Sequence, residues 1–354
     1  MLNKKIKTAV GALCFTAAAF MGSAAQAQIA GKNLILVHGL KPDQLMRETV
    51  TAQEITTDGA QGWADFWGQY ADDRLDWSSK SRLNADTAQR TYNKVMQWSR
   101  SGFCNNGCVI VTHSTGDLVT RYMLDQQSVW TAAAGLPPLN ILAVFDFAGA
   151  GGGSELADLA LDVAGSSSWL TAPIRAAVNA WLGFTVTPEK LGVLRDLRPT
   201  VARQTAMAPN GVPRLRFVGG GSEFLGATGG FLPGTDDGVV ALHSACGGNS
   251  IKSVDSCVNY RELDGKQASV TAPDALWYNH YPVLMGNDTH HNGTIGTQSG
   301  VRLSYVNNNL NPGVRVSFAT QSTTSGWWLW KSTYNTVTGS ENRTMSQTAF
   351  NSVR

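Results

Sequence analysis

The chain has 354 residues, of which 43% are hydrophobic and 15% are charged. This composition is too apolar for a disordered chain, and the length suits one large domain or two ordinary ones. With 28 basic and 26 acidic residues the formal net charge is only +2, which argues against nucleic acid as the main partner.

Residues 1–27 have the three parts of a secretory signal peptide. Lys4, Lys5 and Lys7 precede an apolar, alanine-rich stretch, and residues 25–27 (Ala-Gln-Ala) form a small-x-small cleavage site. A transmembrane helix is the alternative, but the apolar run is too short and no stop-transfer charges follow it. We therefore predict a mature chain of residues 28–354, a secreted or periplasmic location and no transmembrane segment.

Short apolar runs at residues 33–37, 108–111 and 141–145 predict buried strands, and a fourth strand is predicted at residues 214–218. Helical patterns lie between the runs, among them residues 87–100. Strands that alternate with helices are typical of a parallel sheet in an α/β domain.

Four cysteines remain after removal of the signal peptide. An even number in an exported chain predicts disulfides, and proximity in the sequence favours Cys104–Cys108 and Cys246–Cys257. Four cysteines permit three pairings, so the connectivity stays open at this stage. The spacing of the cysteines fits a zinc site poorly.

Residues 112–116, with the sequence Thr-His-Ser-Thr-Gly, lie between the second predicted strand and its helix. They are similar to the nucleophile elbow Gly-x-Ser-x-Gly, with Thr112 in place of the first glycine. A sharp strand-to-helix turn lifts a serine hydroxyl above the sheet, and small neighbours prevent a collision. Ser114 is therefore the candidate nucleophile, and the helix that follows directs its N-terminal dipole at the developing oxyanion.

Residues 154–188 carry apolar side chains at helical spacing, first around Leu156 and Val163 and then from Trp169 to Phe184. We interpret residues 154–200 as a cap or lid inserted between the third and fourth strands. Ordinary core helices are the alternative, because amphipathic helices usually pack in a core.

A serine nucleophile needs a base and a carboxylate that orients the base. Asp236 and Asp237, in a glycine-rich loop after the fourth strand, are the candidate acids, and Asp237 is preferred. His280 ends a short aromatic run that could be the last strand, so we predict that it is the base. His290 and His291 lie in a polar stretch and are interpreted as an exposed surface pair, although they stay open as alternative bases.

Together these motifs resemble those of the secreted bacterial true lipases of the α/β-hydrolase superfamily. The similar segments are the strand and turn at residues 34–40, the elbow and helix at 114–122, and Gly-Ser-Glu-Leu-Ala-Asp at 153–158, followed by Asp-Gly-Val-Val at 237–240 and Asn-His at 279–280. The resemblance implies an α/β-hydrolase fold, a mostly parallel central sheet flanked by helices. It also implies a triad of Ser114, Asp237 and His280, with the backbone N–H groups of Leu40 and Thr115 as the oxyanion hole.

The sequence departs from this family in three ways. Thr112 and Asp117 replace glycines at the elbow, and Pro282 stands where such lipases often have a calcium-binding aspartate. We therefore expect no metal and no cofactor. Residues from about 295 to 354 form a C-terminal extension of unknown role, which includes the run Trp327-Trp328-Leu329-Trp330.

The predicted function is hydrolysis of carboxyl esters of fatty acids through an acyl-enzyme, as in a lipase or esterase acting on triacylglycerol-type substrates. The expected partner is the lipid or ester substrate, either in solution or at a lipid–water interface. Polyester depolymerisation, phospholipid deacylation or acyl transfer would use the same residues and remain alternatives. A non-catalytic binding protein on an inactivated hydrolase fold is the alternative from another class.

Overall fold

A computed structural model describes residue 29 and residues 31–205, 211–248, 250–251, 280–286, 288–296 and 319–352. The predicted signal peptide and Cys257 lie outside these residues. Within the described ranges, no helix combines the length and the apolarity that a bilayer-spanning segment requires.

Six strands form one sheet in the described part of the chain, in the order β2-β1-β3-β4-β5-β6, and each neighbouring pair is parallel. The carboxyl ends of these strands therefore meet at one edge of the sheet. The strands are β1 (Asn33–Val37), β2 (Asp73–Leu75), β3 (Cys108–His113), β4 (Ile141–Phe147), β5 (Arg214–Gly219) and β6 (His280–Gly286).

Both faces of the sheet are covered, which explains the continuous apolar runs. In β1, Ile35 and Val37 belong to one buried cluster, whereas Leu34 and Leu36 belong to a second cluster on the other face. Successive side chains of a strand point to opposite faces, so an uninterrupted apolar run feeds two cores at once.

The helices pack on this sheet, and one of them confirms a sequence prediction closely. The helix predicted at residues 87–100 is α3, and Gly102 at φ 68° ends it with a left-handed residue. In the described part of the chain the helices are α1 (Pro42–Met46), α2 (Ala52–Gln61), α3 (Ala88–Ser101), α4 (Gly116–Ala133), α5 (Glu155–Ala164), α6 (Ala172–Leu182), α7 (Pro199–Thr205), α8 (Leu242–Ala245) and α9 (Met345–Asn351).

The inserted segment between β4 and β5 consists of α5, α6, α7 and short helical turns. The apolar face of α6 is buried through Val178, Trp181 and Leu182, which join the cluster on one face of the sheet. Trp169 lies outside this face and is 82% exposed. The segment therefore both contributes to the core and carries an exposed indole.

The C-terminal extension is part of the fold. Its helix α9 packs Met345 and Ala349 into the second apolar cluster, together with Trp63 and Trp67. The Trp67 indole N–H also donates to the Ser346 hydroxyl at 2.9 Å. The extension therefore helps to cover one face of the central sheet.

One predicted disulfide is present, between Cys104 and Cys108. Cys246 is also disulfide-bonded, but the predicted partner Cys257 lies outside the described residues, so that pairing stays a prediction. The parallel sheet, its flanking helices and the strand–turn–helix passage from β3 into α4 together form an α/β-hydrolase fold.

Candidate active site

Ser114 occupies a strained turn between β3 and α4. Its φ is 54°, in the left-handed region that residues other than glycine rarely adopt. The turn is held by the Ser114 N–H, which donates to Phe147 O at 3.0 Å, and by Ser114 O, which accepts from Ala150 N at 3.0 Å. These contacts place Ser114 just beyond the carboxyl end of β3, as the elbow motif predicts.

Two glycines allow neighbouring segments to approach this turn. A Cβ at Gly116 would lie 2.3 Å from Val37 O, and a Cβ at Gly39 would lie 2.9 Å from the Ser114 Cβ. Neither position can carry a side chain without moving backbone. The first elbow position has no such restriction, since Thr112 fits there and its hydroxyl lies 3.4 Å from an Asp146 carboxylate oxygen.

Asp237 lies in a tight turn whose backbone N–H groups donate two hydrogen bonds to one of its carboxylate oxygens. Oδ1 accepts from Val239 N at 3.0 Å and Val240 N at 2.7 Å, while Oδ2 lies 2.9 Å from His291 Nδ1. The carboxylate is fully buried. The neighbouring Asp236 instead accepts from Gly238 N, so Asp237 is the member of the pair that meets an imidazole.

His291 is held at both its backbone and its ring. Its N–H donates to Asp237 O at 2.9 Å, and its carbonyl lies 3.2 Å from His113 Nε2. The ring is 5% exposed, so His291 is not the exposed surface residue that the sequence predicted. His290 fits that prediction better, because its ring is partly exposed beside Glu223.

Burial and charge act in opposite directions on His291. Burial lowers the pKa of its imidazole, but the Asp237 carboxylate outweighs this effect and leaves the pKa above the ordinary value of 6.5. Burial together with the nearby His291 lowers the pKa of His113 well below that value, which keeps the His113 ring neutral.

The strand register contradicts the prediction that His280 is the base. His280 is the first residue of β6, opposite Arg214 at the start of β5. Ser114 lies at the carboxyl edge of the same sheet, and the six steps from His280 to Gly286 correspond to about 20 Å of strand. His280 therefore lies at the edge of the sheet opposite to the nucleophile.

The sequence favoured His280 over His291, because the last strand was expected to end at His280. That strand runs to Gly286, and the loop that follows it carries His290 and His291. In this fold the base belongs on the loop after the last strand. A correct strand boundary would have directed attention to this pair.

The His38 side chain has a structural role in the turn after β1. Its Nδ1–H donates to Gly39 O at 2.8 Å, and its Nε2 accepts from Trp77 N at 3.2 Å. Burial and the charge of Lys41 lower the pKa of His38 to about 3, so the ring is neutral. It fixes the turn that carries Leu40 beside Ser114.

Ser114 and His291 line one cavity of about 370 Å³, together with Leu40. Polar and apolar side chains both line the cavity, and the apolar part of its wall is formed by aromatic and aliphatic residues. That wall is contributed by residues from several elements, including Trp63, Phe66, Trp67, Trp181, Phe224 and Ile295.

A buried ionic cluster lies behind the elbow. It contains Asp117, Asp146, Arg214 and Arg216, all with side chains at most 2% exposed. Burial raises the pKa of Asp117, but Arg216, Arg214 and Arg121 reverse the effect and keep this carboxylate ionised. Asp117, which stands where the similar lipases have a glycine, is therefore held in the core by ion pairs with Arg214 and Arg216.

No family model and no curated protein matches this sequence. Among solved structures, the chain is similar to a mature lipase of Bacillus licheniformis, with 18% identity, coverage of 61% of this chain and 79% of that one, and a TM-score of 0.38. A metagenomic carboxyl esterase gives 19% identity, 61% and 60% coverage, and a TM-score of 0.37. Lipase 1 of Pelosinus fermentans gives 15% identity, 75% and 93% coverage, and a TM-score of 0.38. At these values the fold assignment rests on the strand order and the Ser114 turn.

Proposed function

We propose that the protein is a serine hydrolase that cleaves carboxyl esters through an acyl-enzyme. The observation that carries this proposal is the Asp237–His291 hydrogen bond of 2.9 Å, in the same cavity as a serine held at positive φ. An oriented imidazole beside a strained serine is the arrangement that activates a hydroxyl for nucleophilic attack.

In the proposed mechanism, Ser114 Oγ attacks the ester carbonyl and His291 Nε2 takes its proton. The tetrahedral intermediate collapses, His291 returns the proton to the departing alcohol, and an acyl–Ser114 ester remains. Water, deprotonated by His291, then attacks this ester; the second tetrahedral intermediate collapses, Ser114 Oγ leaves and takes the proton back from His291, and the acid is released. Asp237 keeps the Nδ1 proton in place and stabilises the imidazolium.

Backbone N–H groups supply the proposed oxyanion hole. Thr115 stands at the N-terminus of α4, and Leu40 lines the cavity on the turn after β1. Two donors that are fixed before the reaction need no reorganisation when charge develops, and losing one typically costs about 10²–10³ in rate.

Fatty-acid esters are the proposed substrates, because aromatic and aliphatic side chains line the same cavity as Ser114. Trp181 comes from α6, so the inserted segment contributes to the wall of this cavity and is proposed to act as its cap. The proposed location is secreted or periplasmic. The Cys104–Cys108 disulfide supports an oxidising compartment.

The test compares Ser114→Ala, His291→Ala and His280→Ala in hydrolysis of a soluble p-nitrophenyl ester. We expect the first two to lower kcat by at least about 10⁴-fold, and His280→Ala to retain turnover if it folds. Fluorophosphonate should label the wild-type protein but not Ser114→Ala. Circular dichroism and thermal unfolding control for folding.

Activity that persists in folded Ser114→Ala would remove the proposed nucleophile. Loss of activity in folded His280→Ala, with retention in His291→Ala, would restore the assignment made from the sequence. A panel of triglycerides, phospholipids and polyesters then identifies the preferred acyl substrate.

A further inference from the structure

A second apolar feature lies far along the chain, at the tip of a hairpin. Strands β7 (Thr320–Ser325) and β8 (Ser332–Val337) pair antiparallel, and the turn between them holds Trp327, Trp328, Leu329 and Trp330. These four side chains are 82–89% exposed. Three exposed indoles and a leucine in one turn form an unusual apolar surface, because large aromatic side chains are normally mostly buried.

The turn has a defined geometry. Trp330 N donates to Trp327 O at 3.1 Å, and the backbone at Gly326 has φ 111°. A Cβ at Gly326 would lie 2.1 Å from Trp330 O, so only glycine fits there. The fold therefore presents the four apolar side chains together at a tight tip.

The base of the hairpin is buried in the apolar cluster that also contributes to the wall of the active-site cavity. Val337, the last residue of β8, is 3% exposed and belongs to the same apolar cluster as Trp63 and Trp67. Both tryptophans line the cavity that holds Ser114. The hairpin thus links the cavity wall to an apolar tip about 17 Å along the strand.

The charge around the tip favours an anionic surface. The sequence has no aspartate or glutamate between residues 289 and 340, whereas Lys331 carries a positive charge. Lys331 follows the tip directly and is exposed. A cation beside exposed indoles is complementary to a lipid interface that contains anionic headgroups.

The shape and polarity of the hairpin favour shallow insertion into lipid. The tip is a convex turn, and within the described residues no ring contact joins its three indoles into a flat stack of the kind that binds sugars. The strand behind the tip is polar, with exposed Gln321, Ser322 and Thr324. Only the tip can be removed from water at a low free-energy cost, and indoles prefer the headgroup region of a bilayer.

We infer that the hairpin tip Trp327–Trp330 is an interfacial anchor that binds the protein to a lipid surface with anionic headgroups. The anchor is attached to the cavity wall, so binding brings the cavity close to lipid. The identity of this surface as the one that carries the ester substrate rests on the proposed function, whereas the binding itself needs no catalysis.

The binding test uses the full mature chain carrying Ser114→Ala, so that no lipid is hydrolysed. Sucrose-loaded vesicles of phosphatidylcholine, and of phosphatidylcholine with 30% phosphatidylglycerol, are sedimented at low and high salt. We expect binding to both, with stronger and salt-sensitive binding to the anionic vesicles. Joint substitution of Trp327, Trp328, Leu329 and Trp330 by serine should lower partitioning at least about 100-fold.

Two further variants separate the contributions. Lys331→Gln should abolish most of the preference for phosphatidylglycerol but keep binding to phosphatidylcholine. Val129→Ser, which removes an apolar side chain that is 64% exposed on α4, should bind vesicles as the parent does. Equal thermal unfolding of all variants shows that the fold is intact.

Vesicle binding by the serine-tip variant at the parental level would overturn the anchor. The anchor would also be overturned if the Ser114→Ala parent bound neither kind of vesicle. Sedimentation of the parent with insoluble polysaccharide, without binding to vesicles, is one such outcome. The serine-tip change in the active Ser114 chain should leave hydrolysis of a soluble short ester unchanged. That arm separates failure of the anchor from failure of the proposed function.

Discussion

The backbone of Ser114 stores strain that a glycine would not have. A residue other than glycine in a sparsely populated φ/ψ region typically costs about 1–3 kcal/mol, and Ser114 has φ 54° in the midst of fixed hydrogen bonds. The hydrogen bonds of the turn therefore hold the Ser114 backbone in a conformation that a serine does not favour.

This strain predicts that Ser114→Gly is more stable than Ser114→Ala by about 1 kcal/mol. Both variants lack the hydroxyl, so they differ in backbone freedom and one methyl group. Urea unfolding of the two variants measures the difference. Equal or lower stability of the glycine variant would show that the turn carries no strain.

The raised pKa of His291 predicts the pH dependence of hydrolysis. His291 accepts a proton only when it is neutral, so kcat/KM should rise with pH and reach half its maximum above pH 6.5. Without the Asp237 carboxylate burial alone would lower the pKa, so Asp237→Asn should shift the midpoint downward. It should also lower the rate by about 10⁴-fold.

A pH–rate profile on a soluble ester checks this prediction, with Asp236→Asn as the matched control. Asp236 does not contact the imidazole, so its variant should keep most of the rate. An unchanged midpoint in Asp237→Asn would contradict the proposed coupling between acid and base.

At the scale of elements, the buried ionic cluster joins α4 to two strands of the sheet. Asp117 on α4 pairs with Arg214 and Arg216 on β5, and Arg216 also pairs with Asp146 on β4. The glycine-rich turn after β4 leaves space for the carboxylates, since a Cβ at Gly149 would lie 2.1 Å from Asp146 and one at Gly151 would lie 2.1 Å from Asp117.

Removing one partner from this cluster leaves an uncompensated buried charge. Arg216→Met should therefore lower the free energy of unfolding by about 3–5 kcal/mol. Arg90→Met breaks the more exposed pair between Arg90 on α3 and Asp86 in the turn just before it, and should cost only about 0.5 kcal/mol. Chemical denaturation measures the free energy of unfolding of both variants. A small decrease in Arg216→Met would show that the cluster is weakly coupled.

The strands were predictable because each apolar run is buried on both sides. The run at residues 33–37 is β1 itself, and those at 108–111 and 141–145 are extended by only two residues. Apolar content carries little information about β6, since its residues include His280 and Pro282. The error in placing the base follows from that strand boundary.

The position of the elbow was predictable from the sequence, but the pairing of Asp237 with His291 was not. Local spacing identifies Ser114 because strand, turn and helix are consecutive in the sequence. Asp237 and His291 lie 123 and 177 positions after Ser114 in the sequence, and only the fold brings His291 into the same cavity as Ser114. The partners of Asp117 are 97 and 99 positions away, so the presence of an aspartate at this position had no visible reason before Arg214 and Arg216 were placed.

At the scale of the whole molecule, the C-terminal helix supports the cavity from behind. Phe350 stacks on Tyr70 with ring centroids 4.3 Å apart and contacts Phe66 and Trp67 edge-on. Phe66 and Trp67 line the cavity. The extension, whose role the sequence left open, therefore acts on the site through packing.

Phe350→Ala should lower the free energy of unfolding by about 2–3 kcal/mol and also raise KM for a soluble ester. Tyr92→Ala is the matched control, because it removes an edge-on partner of Trp130 in the other apolar cluster. It should lower stability but leave KM unchanged. An equal effect of the two variants on KM would contradict the prediction that α9 supports the cavity.

The position of α9 also has a consequence for biosynthesis. One face of the sheet, next to the cavity, is completed only by residues 345–351. A nascent chain arrested before that point leaves the Trp63 and Trp67 indoles without their cover, and the ribosome must translate almost sixty codons beyond His291 before the pocket can close. Premature termination in that interval is therefore expected to yield aggregation-prone products with no usable hydrolytic centre.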